Sequence, residues 1–516
     1  MHEIVTIQLG QRSNYLGTHF WNIQESYFTY SEHERSIIDH DVHFRPGLGN
    51  DNSETFTPRA VIYDLKGGFG TLRKYNALYG IQDESNPAQG LWEGATLIQN
   101  EPTIELSEYQ KKLEGGLPTP QLRASDVRYW SDFNRVYFHP RSIVQLNDYE
   151  LNSELMPFEN WSNGEDLFQN LDREFDLIDR DIRPFVEECD QMQGFQLLTG
   201  VDDAWGGFAA KYLDNLRDEY GKTSIWVWGL EDQSRVVRQK QQLRSCNSAR
   251  SLRSLGQQAS AFIRLAAPPA NLPNYVNLLD NSDWATTALL SAGLESSTLP
   301  TRFNATTRKR GSLTLFEDIL NTNGNQKLFE LHASVNNFSK GSGGQPNGND
   351  RILNGGGNPG VHTDPMPSPL DIDYSPSSNA ILASRSFHVF GQVESERDRL
   401  ESNLRTSSLA PEDRLRRRLN KESVVEIFQT DLQYPILDTF PERLFQTQRQ
   451  DQGALDITAA LVCTSATKNK VIDLRDATFR LVQIDERESL YNDLTEVAQN
   501  YSIGWESGSD TGNDDD

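Results

Sequence analysis

Two short stretches carry residue types that could meet a phosphate. In EIVTIQLGQRSNYLGTHFW (Glu3–Trp21), the apolar run Ile4–Leu9 stops at Gly10. Leu16, Phe20, Ile23 and Tyr27 then follow at spacings of four, three and four, the stripe of a helix packed on one face. A strand, a glycine turn and a helix in that order aim backbone N–H groups and a helix N-terminus at an anion. Gln11 and Asn14 would add side-chain amides. The plainer reading keeps Gly10 and Asn14 for the backbone angles of a strand-to-helix turn. In VDDAWGG (Val201–Gly207), Asp202 and Asp203 stand between an apolar strand and a helix. They read either as a metal-binding or catalytic carboxylate pair, or as acidic charge favoured at a helix N-terminus.

Other chemistry finds little support. His33, His40 and His43 share one polar loop, but their spacing fits neither HExxH nor a zinc finger. No GxSxG, P-loop, Ser/Lys or Cys/His motif is visible, so an ordinary hydrolase is not indicated. Cys189, Cys246 and Cys463 lie far apart, which suits a reducing compartment and argues against a disulfide framework or structural zinc. A net charge of −25 argues against binding nucleic acid over a broad face, because phosphate backbones reward basic surfaces. Ser234–Arg253 departs from this balance, with six Lys/Arg and no acidic residue. It reads as a docking patch for anionic lipid or an acidic tail, or as a solvated helix or mobile loop. The start of the chain has neither the apolar core of a secretory signal nor an Arg-rich presequence. No apolar run approaches the ~18–20 residues that span a bilayer. Synthesis in the cytosol is expected, with any organelle met from its cytosolic side.

Alternating strands and helices must position these loops. RAVIYDL (Arg59–Leu65) reads as a strand closed by Gly67 and Gly68. Leu167, Leu171, Phe175, Ile178, Ile182 and Phe185 predict one helix from about Glu165. Gln193–Gly200 reads as a strand, Asp202–Gly207 as a turn, Ala209–Tyr220 as a helix and Ser224–Leu230 as a strand. That alternation predicts an α/β fold with a mainly parallel, doubly wound sheet. Gly341–Ser378 is so rich in Gly, Pro, Asn and Ser that a disordered insertion is expected. Arg397–Lys421 reads as a charged helical stretch, AALVCTSA and TFRLVQID as late strands, and GSDTGNDDD as an acidic, solubilising end. The expected organisation is an N-terminal nucleotide-domain-like unit over 1–265, a second unit over 266–500 holding the insertion, and a tail over 501–516.

These stretches resemble tubulins. IQLGQRSNYLG keeps the frame of the first tubulin loop, approximately GQCGNQIG, at Gly10, Gln11, Asn14 and Gly17, and departs from it at Arg12 and Ser13. PRAVIYDL (Pro58–Leu65) resembles the second tubulin strand, and CDQMQGFQLL followed by LRDEY (Cys189–Tyr220) resembles the CDxLQGFQ stretch and the helix end after it. The opening MHEIVTI, the WGL strand end (Trp228–Leu230), the length and the Gly-rich insertion are similar to the Misato/Dml1 family. The resemblance implies a tubulin/FtsZ-like architecture and a role in partitioning mitochondria and inheriting mitochondrial DNA. It also implies residence in the cytoplasm and on the cytosolic face of the mitochondrion. Cytoskeletal proteins, chaperonins or the outer-membrane surface would be the partners. A GTP-binding tubulin-like protein, or a cofactor of tubulin folding or spindle assembly, are the alternatives.

The departures imply lost catalysis. Where tubulins carry the phosphate-cradling GGGTGSG, this chain has VDDAWGG. Two like charges ~4 Å apart repel by about 1 kcal/mol even in bulk water, and by several times more in a partly buried pocket. Trp205 would fill space where phosphate should lie. The tubulin GxxGxGNNW loop has no counterpart, LWEGATLIQ (Leu91–Gln99) being the nearest turn, and the GxxNxDxxE-type loop that completes hydrolysis is missing. Gly10, Gln11, Asn14, Gly206 and Gly207 are therefore expected to form a vestigial nucleotide site. No cofactor and no metal is expected, and any GTP held there would not be hydrolysed.

Overall fold

The computed structural model describes residues 2–29, 36–49, 53–74, 76, 78, 104–278, 281–305, 308–335, 370–376, 387–397, 410–420, 422–446 and 453–503. The first half runs β1 (Glu3–Leu9), α1 (Gln11–Ser26), β2 (Phe44–Leu48), β3 (Glu54–Pro58), β4 (Ala60–Lys66), α2 (Glu108–Glu114) and β5 (Ile143–Glu150). It continues with α3 (Trp161–Phe175), a short α4 (Arg183–Val186), β6 (Met192–Gly200), α5 (Ala204–Glu219), β7 (Ser224–Asp232), α6 (Arg238–Gln258) and β8 (Ala261–Ala267). Then come α7 (Asp283–Thr298), α8 (Leu313–Leu320), β9 (Leu328–Val335), β10 (Ile372–Asp373), β11 (Val389–Arg397), α9 (Pro411–Leu419) and β12 (Val424–Thr430). The last elements are β13 (Tyr434–Pro435), β14 (Ala454–Leu455), β15 (Ile457–Thr464), α10 (Ala466–Thr478) and α11 (Ile484–Gln499).

The main sheet has the order β12-β11-β15-β9-β8-β7-β6-β1-β4-β5, with β10 paired to β9. From β5 to β9 every pairing is parallel. β15 runs antiparallel to both β9 and β11, and β12 parallel to β11. All seven residues of β1 and eight of nine in β6 are buried, as expected for parallel strands covered on both faces. Helix α1 packs on α7, while α3, α5, α6, α10 and α11 form a second group. The α/β, mainly parallel architecture matches the sequence reading.

The sheet does not stop at residue 265. Phe262 and Ile263 of β8 stand beside Leu328 and Phe329 of β9, so one ladder runs from the first half into the second. Helix α7 is buried from Trp284 to Thr298, as befits a helix enclosed on all sides. Its Glu295 is fully buried between Arg302 (3.0 Å) and Arg397 of β11. Tyr27, the C-cap of α1, donates to Glu295 (3.2 Å) and accepts from Arg397 (3.0 Å), tying the end of the first helix to the second half.

Several boundaries differ from expectation. The helix predicted from Glu165 begins at Trp161 and breaks at Asp176, whose φ is 49°, before a π-helical turn at Ile178–Ile182. The insertion expected over 341–378 is structured near its end. Ile372 and Asp373 pair antiparallel with Ala333 and His332, and Tyr374 is buried with its hydroxyl on Leu289 O (3.2 Å). The rest of its core, 341–369, lies outside the described residues, as do the tail from 504 and most of 397–421. Within the latter the described helix is α9. TFRLVQID is the turn from α10 to α11, not a strand. Phe479 packs edge-on against Tyr491 at 5.3 Å, and Val482 is buried three residues on, a helical spacing in too short a window to read.

The basic stretch Ser234–Arg253 is helical from Arg238 onward, exposed over much of its first half and packed along its second half. Cys246, Ala249, Leu252 and Leu255 bury one face of α6 at spacings of three. Lys240 pairs with Glu159 (2.6 Å), Arg244 with Asp232 (2.5 Å), Arg250 with Glu486 (2.8 Å) and Arg253 with Glu486 (3.5 Å). Four of its six cations thus meet carboxylates of the same chain.

Candidate functional site: the cleft at the strand ends

The C-terminal ends of β1, β4, β6 and β7 open into a cleft of about 550 Å3, where an open α/β sheet ordinarily binds its ligand. Gly10 ends β1 with φ +85°, a left-handed angle that favours glycine. Its N–H donates to Tyr63 O (3.0 Å). The amides beyond it turn inward. Gln11 Nε2 donates to Asp64 Oδ2 (2.6 Å) and Gly68 O (2.8 Å), and Asn14 Nδ2 donates to Asp64 Oδ2 (2.8 Å). Trp130 Nε1 (3.1 Å) and the Leu65 N–H (2.8 Å) also donate to this carboxyl group. Burial pushes Asp64 up to about 7 against these four donors. The groups that could reach a nucleotide are instead used to satisfy one buried acid. Gln11 lines the cleft; Asn14 is fully buried behind it.

The second loop is capped from within. Asp203 is the N-cap of α5, and its Oδ1 accepts from the Trp205 N–H (2.9 Å). The same carboxyl group covers Gly200, where a Cβ would meet Asp203 Oδ1 at 2.8 Å. The helix end that could receive a phosphate already holds an anion. Asp202 Oδ2 accepts from the Asp232 N–H (2.9 Å), and Asn247 donates to Asp202 O (3.0 Å). Burial and the neighbouring Asp203 push Asp202 up to about 7, and burial pushes Asp203 up to about 6. Arg12 spans Asp232 (3.1 Å) and Asp283 (3.2 Å), and Arg244 closes on Asp232 from the other side. Although burial raises Asp232, Arg12 and the Ser234 donors bring it below the usual carboxylate range.

Trp205 completes the closure. A Cβ on Gly10 would lie 2.4 Å from Trp205 Nε1, so the indole rests on the first loop. Phe158 meets it edge-on at 5.2 Å. Gly206 and Gly207, expected in the vestigial site, face away from the cleft. A Cβ on Gly206 would meet Ser251 Oγ at 2.3 Å, and one on Gly207 would meet Trp161 O at 1.9 Å. They let α5 approach α6 and α3, a packing role rather than a phosphate cradle.

The histidine loop is apolar packing where it is described. His40 stacks on Phe28 at 3.8 Å, and His43 is buried edge-on to Phe20 and Trp21. His33 and LWEGATLIQ lie outside the described residues. Among the described residues, no group of three or more His, Cys, Asp or Glu is placed to hold a metal ion, and no helix is long and apolar enough to cross a membrane. The sequence reading did not identify Asp64, Asp232 and Asp283 as parts of this site. Their only local signal is position, at or just past a strand end or in the first turn of a helix.

A cleft at the strand ends filled with internal carboxylates, on a parallel sheet extended by antiparallel strands, accords with a tubulin-like protein. Residues 119–303 match the family model described as Tubulin domain, and residues 2–115 match the Misato Segment II tubulin-like domain. Protein dml1 of Aspergillus niger is 47% identical over 518 residues, covering 100% of both chains. Protein dml-1 of Neurospora crassa is 44% identical over 543 residues with the same coverage, and protein dml1 of Schizosaccharomyces pombe is 31% identical over 66% of this chain and 74% of that one. The chain belongs to the Misato/Dml1 family.

Proposed function

We propose that this chain is a non-catalytic tubulin-like protein that serves the partitioning of mitochondria and the inheritance of mitochondrial DNA. It works in the cytoplasm and at the cytosolic face of the mitochondrion, through contacts with cytoskeletal proteins, chaperonins or the outer-membrane surface. One observation carries the non-catalytic part. The N-terminus of α5 is capped by Asp203 while Trp205 lies on Gly10, so a triphosphate would face two carboxyl groups and an indole in place of free N–H donors. The mitochondrial part rests on the family resemblance.

Titration of the full chain with GTP and Mg2+ tests the first part, with no binding and no phosphate release expected. Micromolar affinity lost in Gln11→Ala/Asn14→Ala would overturn it. For the second, a tagged copy is expected at mitochondria, with loss of mitochondrial DNA on depletion. Stable co-purification with tubulin or chaperonin and absence from mitochondria would favour a folding cofactor instead.

A further inference from the structure

Inverting the charge of a nucleotide cleft leaves a cavity that suits the opposite ligand. Eight carboxyl side chains line this cleft against three cations, Arg12, Lys240 and Arg244. All three cations are already paired with acids. Glu150 and Glu154 stand exposed at the mouth with no ion-pair partner among the described residues. Inside, Ser13 lines the wall with a buried hydroxyl that has no hydrogen-bond partner among the described residues. A buried polar group left unpaired is costly, and a donor arriving from a ligand would relieve it.

The cleft continues into an apolar hollow of about 340 Å3, with which it shares Pro157, Glu159 and Leu243. Leu155 and Met156 on its rim are 95% and 55% exposed. Two large apolar side chains held in water beside an acidic cavity are more than scattered surface.

We propose that the cleft and this hollow together receive a segment of a partner protein that carries Lys or Arg beside a large apolar side chain. The cation enters between the loop after β5 and the start of α5, donating to the free carboxylates and to Ser13. The apolar side chain lies on Leu155, Met156 and Leu243. A small polyamine would satisfy the acids but leave the hollow open, and a lipid headgroup phosphate would meet repulsion. The inference rests on the reading that the cleft holds no nucleotide.

The test is fluorescence anisotropy of a labelled dodecapeptide bearing three arginines and two leucines four residues apart, with the full-length chain. Saturable binding is expected. Leu155→Ser/Met156→Ser, Glu154→Lys, and replacement of the peptide leucines by serine should each weaken it about tenfold, which corresponds to ~1.4 kcal/mol. The three protein positions are exposed, and thermal unfolding verifies the fold. Binding indifferent to these changes would reveal mere attraction to an acidic chain and overturn the proposal, as would no binding by folded protein. GTP competing for the cleft would overturn the reading that it holds no nucleotide; absence of both GTP and peptide binding would overturn this inference alone.

Discussion

The indole of Trp205 rests on the backbone of Gly10, at the point where the first loop of the fold would face a phosphate. The two residues are far apart in sequence, yet each constrains the other. Gly10 has no Cβ and so admits the ring, and the ring occupies the space above the turn. Asp203 holds the adjacent helix end. The closure is therefore double, steric from one side chain and electrostatic from another.

Trp205→Ala separates the two effects. Removing a buried, large aromatic side chain should cost ~3–5 kcal/mol, read as a lower denaturant midpoint. It should not create GTP affinity, because Asp203 still caps α5. GTP binding gained by Trp205→Ala, measured by calorimetry, would show that the steric half of the closure suffices.

Asn14→Ala should behave as a stability variant. It removes a donor to Asp64 and to Tyr63 O and an acceptor for Gln8, all buried. An unsatisfied buried group costs ~1–3 kcal/mol. Gln11→Ala, at a partly buried position, should cost less. Chemical denaturation distinguishes this order from the reverse, in which Gln11 matters more.

The Asp202–Asp203 pair makes stability depend on pH in a stated direction. Both groups sit above the ordinary carboxylate value of 3.8, at about 7 and about 6, so the folded state favours their protonated forms. That contribution is complete below the ordinary value and is lost as pH rises through 6 to 7. The melting temperature of the unaltered chain should therefore fall between pH 5 and pH 8 more than that of Asp202→Asn. The variant keeps an acceptor for the Asp232 N–H and removes the like-charge neighbour. Identical slopes would exclude the pair as the source.

Glu295→Ala should be among the most damaging single changes. It strands Arg302 and Arg397, both fully buried, and removes the partner of Tyr27. Breaking a buried ion cluster by removing one member costs ~3–5 kcal/mol. Replacing all three charged residues by apolar ones of similar volume should cost less, and equilibrium unfolding of the two variants compares them.

The readable elements were those whose neighbours in sequence are also neighbours in space. β1, β4, β6, α5 and β7 show predominantly apolar runs or a strong 3.6 period, because each packs on the next element of a parallel sheet. β11 was hidden because its Glu394, Ser395 and Arg397 are buried, so VFGQVESER reads as the edge of a charged stretch. β10, two residues long, sits inside a segment whose composition argues against order. At the cleft, Gly10, Gln11, Asp202, Asp203 and Trp205 were visible as departures from a known pattern. The cage of Arg12 with Asp232 and Asp283 was not, since residues more than 200 positions apart meet only through the sheet.

The uninterrupted ladder from β8 to β9 has a practical consequence. A chain severed near residue 265, where tubulin-like halves are expected to part, would be cut inside β8 (Ala261–Ala267) and would separate its Phe262 and Ile263 from Leu328 and Phe329 of β9, baring strand-edge amides and carbonyls. Each fragment would be sticky rather than a working module. Limited proteolysis of the intact protein should therefore spare that junction and cut outside the sheet.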